Sequence, residues 1–357
     1  MASKGKVVVA MSGGVDSSVA AGLLQRQGYE VIGMMLRLWS ESGGEAANRC
    51  CTPDAMALAR RVAGKLGIPF YAIDAQEPFF ENVVKYFEDG YLGGSTPNPC
   101  LACNRTIRWG LLYQKARAFG ADFMSTGHYA RIRRDEAGAY HLLCGVDQNK
   151  DQAYVLSSLS QEKLAHTLFP LGEYTKTQVR ALAREMDLPV AERAESQDLC
   201  FLADGDYRRF LLERLPASQK PGPILDTRGK KVGEHQGLSF YTIGQRKGLG
   251  ITGPEPLYVI DKDSSSNALV IGPREALGKS RLVAERASWI SGAPPERPFH
   301  AEVRIRYRAA AAWGEVTPLS SEAFQVEFEN QLRDITPGQA AVVYNGEECL
   351  GGGIIQA

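Results

Sequence analysis

Short apolar segments alternate with longer amphipathic segments over roughly the first 130 residues. The apolar segments predict strands at 6–11, 30–38, 70–74 and 122–126, and the amphipathic ones predict helices at 17–27, 53–66, 79–91 and 107–119. Gly28, Gly67 and Gly120 each follow a predicted helix, where a left-handed cap is expected. The alternation indicates an α/β fold with a doubly wound parallel sheet, whose ligands bind at the C-terminal ends of strands.

The pattern changes twice along the rest of the chain. Residues 151–214 predict further helices at 154–159, 176–186 and 206–215, and beyond Pro216 short strands alternate with turns rich in Gly and Pro. We therefore predict an N-terminal nucleotide-binding catalytic domain with a helical extension (1–214), a small central β module (215–280) and a C-terminal β-barrel (281–357). In the barrel, a strand at 301–308 would place Arg304, Arg306 and Arg308 on one face.

The loop at residues 10–18, AMSGGVDSS, links the first predicted strand to the first predicted helix. Glycines let a ligand approach the backbone, and hydroxyls and helix N-terminal N–H groups bind anions, so the loop predicts a phosphate site. It lacks the Gly-Lys-Ser/Thr ending of kinase-type loops and resembles the PP-loop of ATP pyrophosphatases, which release pyrophosphate and transfer AMP. Asp16 would act through Mg²⁺ or loop geometry, or would only cap a turn. A Ser/Gly-rich turn without function is the alternative for the whole loop.

Charge and composition exclude few classes. Lys plus Arg equals Asp plus Glu, 41 each, so the 357-residue chain carries no net charge, and nucleic-acid binding would need a local basic patch. No apolar run reaches the ~18 residues of a membrane span, and the start MASKGKVVVA lacks the apolar core of a signal peptide. We expect a cytoplasmic protein without a membrane partner.

The chain has seven cysteines, an odd number, and no recognisable secretion signal. Both observations argue against a disulfide framework and favour reactive or metal-binding thiols. Cys103, in TPNPCLACNR, would lie just before a helix that begins near Arg105, which favours its thiolate. Cys200 ends the polar segment ESQDLC, and a buried inert cysteine is the alternative for either thiol. The adjacent Cys50 and Cys51 are interpreted as non-catalytic. Cys144 and Cys349 read as ordinary core or strand residues.

Seven motifs occur in one order over nearly the whole chain: SGGVDSS, TPNPC-x-x-CNR, STGHYAR, KDQAY, SQDLCF, YTIGQRKGLG and IRYR. Together they resemble the tRNA-specific 2-thiouridylases, which convert uridine 34 of certain tRNAs to 2-thiouridine. The resemblance implies that ATP is bound by Ala10, Met11, Ser12, Gly13, Gly14, Val15, Asp16, Ser17, Leu36 and Gly127. It implies contacts with the target base from Asn98, Pro99 and Cys100, and with tRNA from His128, Lys150, Asp151, Gln152, Arg306, Tyr307 and Gln339.

The resemblance also implies the catalytic cysteines and a reaction. ATP, with Mg²⁺, adenylates the C2 oxygen of the uracil, which is otherwise a poor leaving group. A sulfur-relay or cysteine desulfurase donor protein loads Cys200 with a persulfide, whose sulfur replaces that oxygen. Cys103 is the nucleophile that ends in a disulfide bond with Cys200, which a reductant must reset. We expect a monomer that binds tRNA partly through its barrel.

Several alternatives stay open. Many members of that family have Asp where this chain has Cys100, and Cys100, Cys103 and Cys200 together could hold an iron–sulfur cluster that delivers sulfide instead of a persulfide. His128 could shuttle a proton rather than contact tRNA. The arginine face of strand 301–308 could be solvated rather than bind phosphates. Another PP-loop enzyme, such as an amide-forming ligase, is a further alternative, but it would not need the paired loop cysteines. A non-catalytic RNA-binding protein is the last alternative, but it would not need an intact phosphate loop.

Overall fold

A computed structural model of the protein describes residues 3–41, 52–194, 199–216, 219–251, 255–333 and 335–356. The strands in these ranges are β1 (Lys6–Ala10), β2 (Glu30–Arg37), β3 (Phe70–Asp74), β4 (Phe123–Ser125), β5 (Ala130–Arg134), β6 (Tyr140–Cys144), β7 (Thr167–Leu168), β8 (Gly222–Leu225), β9 (Lys231–His235), β10 (Tyr258–Asp263), β11 (Ala268–Gly272), β12 (Lys279–Trp289), β13 (Phe299–Arg304), β14 (Ala312–Ser320), β15 (Ala323–Leu332), β16 (Ala340–Asn345) and β17 (Glu348–Ile355).

The helices lie mostly in the first 214 residues. They are α1 (Val15–Arg26), α2 (Pro53–Leu66), α3 (Gln76–Phe79), α4 (Lys85–Leu92), α5 (Pro99–Ala102), α6 (Tyr113–Ala118), α7 (Ala153–Leu156), α8 (Gln161–Ala165), α9 (Lys176–Glu185) and α10 (Tyr207–Arg214). Two π-helical segments, Phe80–Val84 and Cys103–Leu112, join α3 to α4 and α5 to α6, and short 3₁₀ turns span Leu238–Phe240 and Arg274–Leu277. None of the helices in the described ranges is long and apolar enough to cross a bilayer.

A five-stranded parallel sheet forms the centre of the N-terminal region, in the order β3-β2-β1-β4-β7. Alternate residues of β1 face opposite sides of this sheet. Val7 and Val9 pack with α1, α2 and α9, and Val8 packs with the π-helical segment Cys103–Leu112, α6 and α7. Because both faces of the sheet are covered by helices, the predicted doubly wound α/β architecture is confirmed.

Several local predictions are confirmed by the backbone. Gly28, Gly67 and Gly120 have φ of 92°, 66° and 70°, as expected for left-handed helix ends.

The strand predicted at 301–308 is too long, since β13 ends at Arg304 and the chain turns at once. Arg306 and Arg308 therefore do not continue a strand face.

The last part of the chain forms a central sheet and a closed barrel. The central sheet has the order β10-β11-β8-β9, and β12, β15, β14, β13, β16 and β17 close into a six-stranded barrel because β12 pairs with both β15 and β17. The hairpin β5–β6, which the sequence pattern did not reveal, pairs with β17 and so joins the N-terminal region to the barrel. The domain boundaries at 214/215 and 280/281 stay predictions.

Candidate active site

The loop between β1 and α1 has the backbone geometry that a phosphate site requires. Gly13 has φ of 70°, and a Cβ there would lie 2.4 Å from the carbonyl oxygen of Ala55, so only glycine fits. Gly14 occupies the N-cap of α1 and has no side chain to cap the first turn. The Ser12 N–H donates to the Ser17 hydroxyl at 3.1 Å, which fixes the loop. The uncapped N–H groups of α1 are suited to an anion.

The turn after β4 packs directly against this loop. Val9 of β1 pairs with Ser125 of β4, so the two strands end side by side. A Cβ at Gly127 would lie 2.7 Å from the backbone nitrogen of Ser17 and 2.8 Å from the carbonyl carbon of Asp16. The absence of a side chain at Gly127 therefore lets this turn touch the first turn of α1. The structure brings Ser12, Asp16, Ser17 and Gly127 together.

Lys176, which the sequence did not single out, neutralises Asp16. Its ammonium group donates to both carboxylate oxygens at 2.6 and 2.8 Å, and the Tyr129 hydroxyl donates to one of them at 2.8 Å. Lys176 is only 13% exposed. It is also the first residue of α9, where the helix dipole disfavours a cation. No local pattern in the sequence indicates this partner, which lies 160 positions away.

A second cation holds the loop from the same side. Arg193 donates to the carbonyl oxygen of Gly13 at 2.6 Å. Arg180 of α9 in turn donates to the carbonyls of Ala191 and Arg193 at 3.0 and 3.1 Å, which fixes the segment that carries Arg193. Two positive side chains from the helical extension thus lie against the phosphate loop.

His128 is a buried, neutral imidazole in this structure. The residue is 4% exposed, and burial, assisted by the Arg108 guanidinium, lowers the pKa of His128 well below its usual value. Arg108 lies 3.2 Å from Nε2 and can only donate, so Nε2 accepts and the proton resides on Nδ1, which is 2.7 Å from the Thr126 hydroxyl. The ring faces these two groups rather than solvent, and its contact with tRNA stays a prediction.

The segment that contains Cys100 and Cys103 differs from the prediction in one respect. The helix begins at Pro99, not near Arg105, because the Asn98 side chain caps it by accepting from the N–H groups of Cys100 and Leu101 at 3.1 and 3.3 Å. Proline at the first helical position after asparagine is a strong start signal. Exposed Cys100 therefore occupies the first turn, and the argument that a helix N-terminus activates Cys103 is wrong.

Cys103 and Cys200 pack against the same hydrophobic cluster. The cluster is formed by Phe79, Phe87, Phe201, Phe210 and their neighbours, and both thiols lie half-buried at its edge. Leu36, at the C-terminal end of β2, packs against this cluster too. The end of β2, where adenosine was predicted, is thus continuous with the surroundings of both cysteines. Residues 196–198 of the SQDLCF motif, and Cys50 and Cys51, lie outside the described residues.

Comparison with known proteins finds matches over nearly the whole chain. A family model described as a tRNA methyl transferase HUP domain matches residues 5–204, a tRNA methyl transferase PRC-barrel domain model matches residues 208–273, and an aminomethyltransferase β-barrel domain model matches residues 279–355. The chain is 49% identical over 350 residues to the tRNA-specific 2-thiouridylase MnmA of Chloroflexus aggregans, with 98% of each chain covered. It is 49% identical over 355 residues to the protein of that name in Moorella thermoacetica, with 98% of this chain and 99% of the relative covered.

The chain belongs to the tRNA-specific 2-thiouridylase family. Two of the residues that the family resemblance assigns to tRNA contact, Asp151 and Gln152, make hydrogen bonds within the protein. Asp151 is buried and accepts from the N–H groups of Gly145 and Ala153 and from Arg304, at 3.0, 3.1 and 3.1 Å. The side-chain oxygen of Gln152 accepts from the Tyr129 N–H at 3.1 Å. Both side chains are therefore engaged within the protein.

Three further tRNA-contact candidates, Arg306, Tyr307 and Gln339, lie where the three regions of the chain meet. Gln339 donates to the carbonyl of Thr96 at 2.8 Å, just before the target-base segment. Arg306 donates to the carbonyl of Ile243 at 3.1 Å and to the Thr336 hydroxyl. Burial raises the pKa of Tyr307, and the Cys100 thiol is among its neighbours. The barrel thus borders the segment that carries Cys100.

The cysteines do not fit an iron–sulfur cluster in this conformation. Within the part of the chain that the structure describes, no three His, Cys, Asp or Glu side chains lie close enough together to hold a metal ion. Cys100, Cys103 and Cys200 are therefore not arranged as ligands of one cluster, and we derive no step through one.

Burial raises the pKa of Cys144 to about 12 and also raises that of Cys349, so both thiols stay protonated.

Proposed function

We propose that this protein uses ATP to convert uridine 34 of tRNA to 2-thiouridine. The observation that carries the proposal is that Leu36, Cys103 and Cys200 border one hydrophobic cluster at the end of the sheet that bears the phosphate loop. Full-length identity to relatives named for this activity supports the same conclusion. An amide-forming ligase is not favoured, because it has no use for two cysteines on the cluster that Leu36, the predicted adenosine contact, also borders.

In the first step the C2 oxygen of the uracil attacks the α-phosphate of ATP, and pyrophosphate leaves. The proposed phosphate contacts are the backbone N–H groups of the Ser12–Ser17 loop and the positive end of α1. Lys176 cancels the charge of Asp16, so that this carboxylate fixes the loop without repelling phosphate. Mg²⁺, when bound, would neutralise charge on the departing pyrophosphate.

In the second step sulfur replaces the activated oxygen. A donor protein, a sulfur relay or a cysteine desulfurase, leaves a persulfide on Cys200. Its terminal sulfur attacks C2, AMP departs, and C2 is joined to Cys200 through two sulfur atoms. The Cys103 thiolate then attacks the Cys200 sulfur, which releases 2-thiouridine and forms the Cys103–Cys200 disulfide. A two-electron reductant returns both thiols. In the alternative order, Cys103 first attacks the persulfide on Cys200 and releases sulfide, and this sulfide then attacks C2 and displaces AMP.

The proposal extends to the surroundings of the reaction. The target uridine would be read by Asn98, Pro99 and Cys100, and the tRNA body by His128, Lys150, Asp151, Gln152, Arg306, Tyr307 and Gln339. The enzyme would act as a monomer in the cytoplasm. Because Asp151, Gln152 and Gln339 are engaged within the protein, tRNA would have to replace or extend those contacts.

Mass spectrometry of nucleosides tests this proposal. Unmodified tRNA is incubated with the protein, ATP, Mg²⁺ and a low-molecular-weight persulfide, and compared with Cys103→Ser, Cys200→Ser and the control Cys349→Ser. We expect 2-thiouridine at position 34 only with ATP, its loss in the first two variants, and its retention in the control, whose thiol is buried. Full thiolation by both Cys103→Ser and Cys200→Ser would contradict the roles given to these thiols.

A further inference from the structure

Glu41 links the chain that follows β2 to the chain that follows Cys200. Its side chain is only 10% exposed, and one carboxylate oxygen accepts from the Ala203 N–H at 2.8 Å. Nη2 of Arg209 donates to both oxygens, at 3.0 and 2.8 Å. Such a nearly buried carboxylate, with three donor contacts, restrains both partners strongly.

The segment held by Glu41 is the turn that carries Cys200. The Leu202 N–H donates to the Leu199 carbonyl at 3.1 Å, so Cys200 is the second residue of a closed turn. Phe201 anchors one side of this turn in the hydrophobic cluster, with its ring 5.3 Å from that of Phe87. Ala203 follows the turn directly, so Glu41 fixes the point at which the chain leaves it.

Glu41 is also connected along the chain to Leu36 at the end of β2, where adenosine is predicted to bind. Leu36, the predicted adenosine contact, lies five residues before Glu41. Between them, Trp39 packs against Phe80 and Phe210 at ring distances of 5.4 and 6.4 Å. The Arg214 guanidinium covers the Trp39 ring at 5.0 Å. Residues 36–41 therefore form a packed connection from the end of β2 to the Cys200 turn.

We propose that Glu41 is a positioning residue that holds Cys200 where its persulfide sulfur reaches the adenylated uridine. The proposal rests on the function proposed above. Without the carboxylate, the Ala203 N–H loses its partner, and Arg209 keeps its contacts with Asp204 and Glu213. The turn then loses its direct polar link to the chain that follows β2. Adenylation does not involve this turn, so only the sulfur step should suffer.

The test compares Glu41→Ala and Glu41→Gln with Glu213→Gln. Glu213 also pairs with Arg209, at 2.7 Å, but its side chain is 60% exposed and lies on α10, four residues from Arg209, so it is the matched control. Three quantities are measured on the full chain: tRNA-dependent pyrophosphate release, single-turnover thiolation after loading with a low-molecular-weight persulfide, and the rate at which iodoacetamide alkylates Cys200. Thermal unfolding verifies that each variant is folded.

For Glu41→Ala we expect thiolation to slow by about tenfold or more, as for loss of a hydrogen bond to a charged group, with pyrophosphate release within about twofold of wild type. Alkylation of Cys200 should accelerate about threefold or more, because loss of that hydrogen bond loosens the turn. Glu41→Gln retains an oxygen that can accept from Ala203, so its loss should be smaller. Glu213→Gln should match wild type throughout.

Two results would overturn the proposal. One is wild-type thiolation and alkylation in Glu41→Ala, and the other is an equal fall of thiolation and pyrophosphate release, which would mean general structural damage. Failure of the underlying function is recognised separately: if Cys200→Ser thiolates tRNA normally, the role of Cys200 is wrong, while the alkylation rate still decides whether Glu41 holds its turn.

Discussion

At the scale of single residues, the phosphate loop depends on a charge balance that joins distant parts of the chain. Asp16 lies in the loop, and Lys176 and Arg193 reach it from the helical extension. A carboxylate beside a triphosphate would raise the cost of binding ATP unless a cation compensates it. The phosphate loop therefore needs the two cations of the helical extension to balance the charge of Asp16 and to hold its backbone.

Replacement of Lys176 by Met should weaken the use of ATP. The change removes the ammonium group and leaves Asp16 with only the Tyr129 hydroxyl among its donors described above. We expect the KM for ATP in tRNA-dependent pyrophosphate release to rise about tenfold or more. Lys65→Met is the control, since Lys65 pairs with exposed Asp187 and should leave the KM unchanged. An unchanged KM in Lys176→Met would contradict the charge balance.

His128 predicts a pH dependence of stability. The unfolded chain binds a proton at this residue near pH 6.5, whereas burial keeps the folded ring neutral because its pKa is lowered. The contribution of His128 to stability is therefore full above pH 6.5 and is lost as the pH falls below it, by about 1.4 kcal/mol per pH unit for one proton. Denaturant unfolding from pH 7 to 5 should show this slope, and His128→Gln should reduce it by that amount. Equal slopes would mean that the folded ring titrates normally.

At the scale of elements, close packing of two loops positions the site. A Cβ at residue 127 would meet the backbone of α1, which cannot move like the end of a side chain. In Gly127→Ala we expect the KM for ATP to rise about tenfold and the free energy of unfolding to fall by about 2 kcal/mol.

Gly64→Ala provides the control for this substitution. A Cβ at Gly64 would meet no atom of the described residues within 4 Å, and the residue lies inside α2. It should leave ATP use unchanged and raise the free energy of unfolding by about 0.5–1 kcal/mol. The account of Gly127 fails if both alanine variants behave alike.

Local signals predicted the elements better than they predicted their partners. The phosphate loop, the parallel sheet and the glycine helix ends follow from patterns within about ten residues. Asn98-Pro99 also carried a start signal, which the interpretation of Cys103 missed. Lys176, Arg193 and Glu41 act on groups 160, 180 and 162 positions away, and no local pattern names such partners. The β5–β6 hairpin is closed locally, by a turn at residues 135–139, and its strands were overlooked; only its pairing with β17 depends on the far end of the chain.

At the scale of the whole molecule, the three regions meet at the segment before the target-base residues. The Thr96 N–H donates to the Pro337 carbonyl at 2.8 Å, and its hydroxyl donates to that of Thr242 at 3.3 Å. Gln339 and Arg306 belong to the same junction. Binding of tRNA at these two residues would therefore act on the segment that leads to Cys100 and Cys103.

Replacement of Arg306 by Ala should weaken the binding of tRNA. We expect the affinity to fall and the slope of its logarithm against the logarithm of salt concentration to decrease by about 1, as for the loss of one phosphate contact. Arg297→Ala, at an exposed position of the barrel, is the control and should change neither. Binding by Arg306→Ala that matches wild type at every salt concentration would refute this contact.

The central claim is that cleavage of ATP and delivery of sulfur occur in one site on one uridine. The most direct measurement is a single turnover in which AMP and 2-thiouridine are quantified from the same tRNA, with wild type and Cys200→Ser, each treated with a low-molecular-weight persulfide. The account predicts one AMP per 2-thiouridine for wild type, and pyrophosphate release without 2-thiouridine for Cys200→Ser. Formation of 2-thiouridine without AMP, or by Cys200→Ser at the wild-type rate, would contradict it.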